Sequence, residues 1–469
     1  MKYSLVLLGA TTLLGMMVSA SAASQESAVK REPEAFKSTY SPLPSTMTAI
    51  TGATILDGLG GTLEDATILM DGGKIMAVGT GISIPGGATV IDGKGKWITP
   101  GIIDNHSHLG VYPSPGTQSH SDGNEIGEPI TTDAWVEHSN WPQDPGFIRA
   151  AAGGVTALQL LPGSANLSGG RSVTLKNVPG RVSTDMKFPG APHGVKFACG
   201  ENPKRVYGQR QANPQSYRPY TRMGNVAGVR QAFADAQDYA RRWNAYSNAI
   251  ENGENAVPPK RDMKMDTLVG IMDGDILVHT HCYRADDMGS FMGIADEFGF
   301  KVSSFHHATE SYKIADLLKE HGACSAMWAD WWGFKMEAYD SVNENIPMVH
   351  KAGACAIVHS DDATGIQHLN QEAAKAWSDG KRVGIDIPMA EAWTWLSLNP
   401  AKSLGIDDQT GTLEVGKDAD VVLWSTNPFS VYANAELTFV DGAIVWDRSQ
   451  PDRAIMDFEL GQPGEGDLK

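Results

Sequence analysis

Histidines recur in this chain at the ends of short apolar runs, with spacings that suit metal ligands. Ile98-Thr-Pro-Gly-Ile-Ile-Asp-Asn-His106-Ser-His108 ends in two imidazoles separated by one residue. On a strand, residues i and i+2 leave the same face, so His106 and His108 can grip one ion. Three more runs end alike: Ile276-Leu-Val-His279-Thr-His281, Val302-Ser-Ser-Phe-His306-His307 and Ala354-Cys-Ala-Ile-Val-His359-Ser360-Asp361. The last adds a carboxylate. Imidazole nitrogens with a carboxylate suit zinc and similar divalent ions. Such an ion lowers the pKa of water toward neutrality. A carboxylate beside that water, here Asp361, can take its proton and later return it to a leaving group.

The elements that must position these residues alternate. Between the strand-like runs lie helical patterns such as Ser290 to Phe298 and Tyr312 to His321. Alternating strand and helix predicts parallel βαβ units and an α/β class. A closed (β/α)8 TIM barrel gathers the C-terminal ends of all its strands on one face, which would bring these distant histidines together. We place that barrel at residues 98 to 408. Residues 46–97 and 409–455 instead show short β patterns punctuated by Asp-Gly hairpin signals.

The motif Thr99-Pro-Gly-Ile-Ile-Asp-Asn-His-Ser-His, the later histidine-bearing strand ends, Ser360-Asp361 and Gly411-Thr-Leu-Glu-Val-Gly-Lys-Asp-Ala-Asp-Val-Val-Leu-Trp together resemble the amidohydrolase superfamily of metal-dependent hydrolases. Gly200-Glu-Asn-Pro-Lys-Arg and Arg284-Ala-Asp-Asp point to its imidazolonepropionase-like and Xaa-Pro-dipeptidase-like branch. The resemblance implies that both chain ends fold into one small β-sandwich. It implies a ligand set of His106, His108, His281, His307 and Asp361, with His279 and His306 as alternatives to their neighbours. It implies one or two divalent ions, zinc first. A second ion needs a bridging carboxylate from the fourth strand, supplied by a carboxylated Lys196 or by Glu201. Five residues apart, these two leave opposite faces of a regular strand, so at most one points inward. Deaminases of the superfamily carry His-x-x-Glu after the fifth strand. Here the positions three after His279 and His281 are Cys282 and Arg284. The expectation is therefore hydrolysis of an amide, cyclic amide or dipeptide C–N bond. The competing class is a non-catalytic binding or assembly protein on the same fold.

Candidate substrate contacts are Asn166 and Arg171, in the Gly-rich stretch Leu161 to Arg171, together with Tyr283 and Arg284. Arginines there could bind a substrate carboxylate, so the expected partner is a small molecule. A net charge of −17 with no basic cluster argues against nucleic acid. At the N-terminus, Lys2, an apolar core from Leu5 to Val18 and Ala20-Ser-Ala-Ala read as a signal peptide over residues 1–23. That predicts a periplasmic or secreted protein with no membrane anchor after cleavage. Homo-oligomerisation stays open. Pro33, Pro42 and Pro44 mark residues 24–45 as a tail or linker, and 456–469 read as a C-terminal tail. Cys199, Cys282, Cys324 and Cys355 fall in or beside buried strands, where free cysteines pack as small apolar groups, while an exported chain leaves disulfides open and spacing does not pair them.

Overall fold

The apolar run before the first histidine pair breaks in two at Gly101. A Cβ there would lie 1.9 Å from the Thr156 hydroxyl, so only glycine lets the chain pass. In the computed structural model, which describes residues 36–114, 116–208, 219–331 and 333–451, the two halves of this run serve different sheets. The first sheet holds β1 (Thr48–Leu56), β2 (Thr62–Asp71), β3 (Lys74–Gly79), β4 (Thr89–Asp92) and β5 (Trp97–Pro100). The second holds β6 (Ile102–Ser107), β7 (Val155–Leu160), β8 (Ser168–Lys176), β9 (His193–Ala198), β10 (Ile276–Cys282), β11 (Val302–His307), β12 (Cys324–Met327) and β13 (Cys355–Val358). The chain then returns to the first sheet with β14 (Val421–Trp424), β15 (Ala435–Val440) and β16 (Ala443–Asp447).

Both chain ends thus meet in one sheet, in the order β16-β15-β14-β5-β1-β2-β3, with β4 branching from β1. Hydrogen bonding joins them as a single branched sheet rather than as two separate ones. Its buried face, including Ile50, Ile55, Ile68, Ile98, Val421 and Phe439, forms a core distinct from that of the second sheet.

The second sheet is a TIM-barrel-like domain whose eight strands run in sequence from β6 to β13. Its gap is bridged beyond the strands, where the Asp361 N–H donates to the His106 carbonyl at 3.0 Å. Helices separate the later strands, as their apolar periodicity requires. Ala285–Phe298 has Asp286 and Asp287 in its first turn, favourable to the helix dipole. It stops at Gly299, left-handed at φ 78°.

Four expectations need correction. The barrel is not all parallel, because β8 runs antiparallel to both β7 and β9. It contains Gly169, Gly170 and Arg171, which we expected in a loop. Gly170, at φ 109°, lies where a Cβ would meet the Ala134 carbonyl oxygen at 2.2 Å. The cysteines are not free: Cys199 pairs with Cys282 and Cys324 with Cys355, with Cα atoms 5.3 and 4.4 Å apart. Residues 36–45, expected as a tail, lie against the body. The Thr39 N–H donates to Thr184 and the Ser38 hydroxyl to the Lys187 carbonyl. The signal-peptide segment and the C-terminal tail lie outside the described residues.

A buried charge cluster links the barrel to the first sheet. Lys176, at the end of β8 and 2 % exposed, donates to Asp418 at 2.8 Å and to Asp441 at 2.6 Å, with Asp420 at 3.6 Å. The Tyr40 hydroxyl also donates to Asp441. Burial raises the Asp420 carboxyl to about 6, against the opposing charge of Lys176. Between about pH 4 and 6 the folded chain therefore holds a proton that the unfolded chain releases, and this group's contribution to stability falls as pH rises through that window. Removing Lys176 leaves three carboxylates facing one another. Lys176→Met should cost about 3–5 kcal/mol at pH 7 and less at pH 5, read by equilibrium urea unfolding. An equal loss at both pH values would show that carboxylate repulsion is not the cause.

Candidate metal centre

Asp361 sits where β6, β11 and β13 deliver their ends. Its Oδ1 lies 3.2 Å from His106 Nε2 and 3.1 Å from His108 Nε2, and these two nitrogens are 3.3 Å apart. Its Oδ2 lies 3.7 Å from His307 Nδ1. Two triads stand close enough to share one ion: His106 with His108 and Asp361, and His106 with His307 and His359.

Proton positions sharpen this geometry. His108 Nδ1 lies 2.8 Å from the Leu161 carbonyl oxygen, an acceptor only, so this nitrogen carries the proton. In the neutral ring, Nε2 then presents a bare lone pair to Asp361. His106 Nδ1 faces His306 Nδ1 at 2.9 Å, and His306 Nε2 faces His279 Nδ1 at 3.0 Å. Neutral rings allow this chain two directions: His106 donates to His306 and His306 to His279, or the reverse, in which His106 Nε2 donates to Asp361. The first leaves His106 Nε2 bare beside His108 Nε2 and the carboxylate, the form in which these three groups would hold a cation. Burial holds His106, His281, His306 and His307 well below the ordinary histidine range, His279 to about 3 and His359 to about 4. All are therefore neutral at physiological pH, the form that ligates metals. His281 is buried with both ring nitrogens unpartnered, and His279 Nε2 is unpartnered too. This donor set fits a divalent ion.

Backbone strain marks the same place. Among the described residues, five other than glycine have positive φ, and His307, Ala308 and Asp361 are three of them. Such conformations cost free energy and gather at functional sites. At His307 the turn lets two successive residues, His306 and His307, face the same centre.

Lys196 is fully buried on β9, in register with His279 on β10. Burial lowers its ammonium to about 8, and its Nζ donates to the Pro162 carbonyl at 3.3 Å. Glu201 points elsewhere. It opens the helix Glu201–Gly208, is 39 % exposed, and faces Lys335 at 3.4 Å. The site thus contains the lysine and not the glutamate. Tyr283 reaches it, with its ring 4.7 Å from His281 and 5.4 Å from His307. The other expected substrate contacts are engaged elsewhere. Asn166 donates to the Glu125 and Glu128 carbonyls, Arg171 donates to Thr267 and stacks 4.3 Å over Trp135, and Arg284 pairs with Asp286.

Asp104 was missed. Fully buried, it accepts from the Ser360 hydroxyl, from the Ser360 N–H at 3.2 Å and from the His106 N–H at 3.1 Å. It thereby fixes His106 and the residue before Asp361 together. Burial pushes its carboxyl up to about 7, against those hydrogen bonds. The i, i+2 spacing that links His106 to His108 also links Asp104 to His106, so the signal was present. The Cys199–Cys282 bridge adds a covalent tie beside His281, and the Cys199 N–H donates to the His281 carbonyl at 2.9 Å.

Residues 271–445 match the Amidohydrolase family model. An amidohydrolase from Thermotoga maritima of known structure is 32% identical and superimposes with a TM-score of 0.76, covering 86% of this chain and all of that one. The amidohydrolase tasK of Hapsidospora irregularis is 32% identical over 78% of this chain, which spans only 38% of that protein's length. The imidazolonepropionase of Maricaulis maris is 24% identical over 78% of this chain and 88% of its own.

If Asp104 orients the ligands, Asp104→Ala should weaken zinc binding about 10- to 100-fold, measured by competition with a chromophoric chelator. Unchanged affinity would reduce Asp104 to a packing role.

Proposed function

The chain belongs to the amidohydrolase family, and from that premise we infer that it is an exported, metal-dependent hydrolase of amide, cyclic-amide or dipeptide C–N bonds. The observation that carries the reading is the convergence of His106 Nε2, His108 Nε2 and Asp361 Oδ1 within 3.3 Å of one another. Those three, with His281, His307 and a carboxylated Lys196, would hold one or two divalent ions. An ion bound there would supply Lewis acidity toward the scissile carbonyl and toward water.

The chain's own residues perform the proton work. Burial opposes ionisation of Asp361, and the ring nitrogens of His106, His108 and His307 at 3.1–3.7 Å, with the cation they would hold, favour the carboxylate. Asp361 therefore starts as a base. It accepts a proton from the attacking water and delivers it to the leaving nitrogen. Tyr283 is held protonated, because burial raises its phenol well above the ordinary value, and it offers an O–H donor beside the reacting centre. At Lys196, a pKa near 8 leaves a fraction of neutral amine at pH 7. That form adds carbon dioxide to give a carbamate and a released proton. His279 and His306, linked to His106 through ring nitrogens, set its tautomer rather than bind the ion.

Export rests on the N-terminal Lys2, the apolar core and the Ala20-Ser-Ala-Ala run. It is supported by two disulfides, which persist in oxidising compartments.

Protein purified without chelator in bicarbonate buffer should contain two metal equivalents per chain by atomic emission. Lys196→Ala should lower that number and Glu201→Ala should not. Protein that is folded but free of metal would overturn the reading in favour of a binding protein. Asp361→Asn should reduce kcat about 10²–10⁴-fold with the fold intact by circular dichroism, and a smaller effect would assign the proton transfer elsewhere. N-terminal sequencing of the mature protein should begin near residue 23. A chain that still starts at Met1 would remove the export step.

A further inference from the structure

Aromatic rings form a continuous path from the metal centre to solvent. Trp328, directly after β12, stacks on His307 with centroids 4.4 Å apart and planes at 28°. Its indole N–H donates to the Ser360 carbonyl at 3.1 Å, so it is anchored to the residue that precedes Asp361. Trp331 lies 5.1 Å from Trp328 and Phe334 lies 5.9 Å from it, with Trp331 and Phe334 6.1 Å from each other. Phe334 also faces Tyr283 at 6.5 Å. Tyr283, Trp328 and Ala338 form a small apolar cluster separate from the main core, so this loop packs on the site itself.

The inner rings are covered and the outer ones are not. Tyr283 is 4 % and Trp328 6 % exposed, whereas Trp331 is 46 % and Phe334 54 % exposed. Two large apolar side chains held in water next to a reaction centre are unfavourable alone and become favourable when an apolar group covers them. Lys335, directly after Phe334, lays its ammonium 4.2 Å over the Tyr283 ring and pairs with Glu201. Its charge is thus committed to the protein and does not recruit an anionic group to the wall.

We propose that Trp331 and Phe334 form a substrate subsite that takes a bulky apolar substituent, an aromatic or aliphatic acyl group or side chain, beside the scissile C–N bond. The proposal rests on the hydrolase reading above and narrows its substrates to N-acyl amino acids or dipeptides that carry such a group. Small polar amides leave both rings uncovered and bind weakly.

The test compares N-acetylglycine, N-benzoylglycine and N-acetylphenylalanine. Binding to chelator-treated protein is read by tryptophan emission, and turnover is measured with the metal-loaded enzyme. One or both of the larger compounds should bind at least about tenfold more tightly than N-acetylglycine. Phe334→Ser, an exposed substitution that leaves Trp331 as reporter, should abolish the difference. In turnover it should raise KM for the larger compound toward that for N-acetylglycine. Equal or absent binding of all three compounds, or a preference that survives both Phe334→Ser and Trp331→Ser, would overturn the subsite. A binding preference that is lost in Phe334→Ser, without hydrolysis of any compound, would support the subsite and count against the hydrolase reading instead.

Discussion

Many basic side chains are gathered around one carboxylate, and the barrel buries nearly all of them. His106, His279, His281, His306, His307, His359 and Lys196 are almost wholly removed from water, with Asp361 among them. Protonating several of these rings together would place unscreened like charges within a few ångströms. Burial therefore keeps the imidazoles neutral, and a neutral imidazole has one donor and one acceptor. Every ring must then be oriented by what its proton finds. The Leu161 carbonyl decides for His108, and the His279–His306–His106 chain makes the proton positions of three more rings depend on one another.

The surrounding structure keeps that set from relaxing. Asp104 ties His106 to Ser360, Trp328 holds the Ser360 carbonyl, and the Asp361 N–H closes on the His106 carbonyl. The first and third act between β6 and the end of β13, where the strand order leaves the barrel without a ladder, and the second ties that end to β12. The site therefore occupies the place where backbone pairing is weakest, and side-chain hydrogen bonds do there what a ladder does elsewhere. The positive φ of Asp361 is held by these contacts, and that of His307 by its N–H bond to His359 Nε2 and the Trp328 ring stacked on it.

Much of this was legible in the residues. Histidines at i and i+2 after apolar runs announce a shared face, and their recurrence on successive strands announces a barrel. Other features obey rules that a linear reading does not contain. The break at Gly101 depends on Thr156, over fifty residues away. The antiparallel β8 reads as a loop because Gly169 and Gly170 are poor strand formers, and they are required there by the close approach of the Ala134 carbonyl. Lys196 and Glu201 were separable in principle by the two-residue period, but only the end of β9 at Ala198 shows which residue the strand still holds. The cysteine pairing lay beyond spacing, since four cysteines allow three pairings. Asp104 could have been found by carrying the face rule one step back.

The composite sheet has a consequence for how the chain acquires its structure. β5 pairs with β14, more than three hundred residues later. While the polypeptide grows, β1 to β5 can pair among themselves, but the flank of β5 that will receive β14 stays open until the barrel between them has been made. An unpaired strand edge is a template for association with other chains. Such distant partners also slow folding, because loop closure precedes the contacts that reward it. The last stretch of sequence, far from the histidines, therefore acts as the latch that ends the period in which a nascent chain is open to a neighbour.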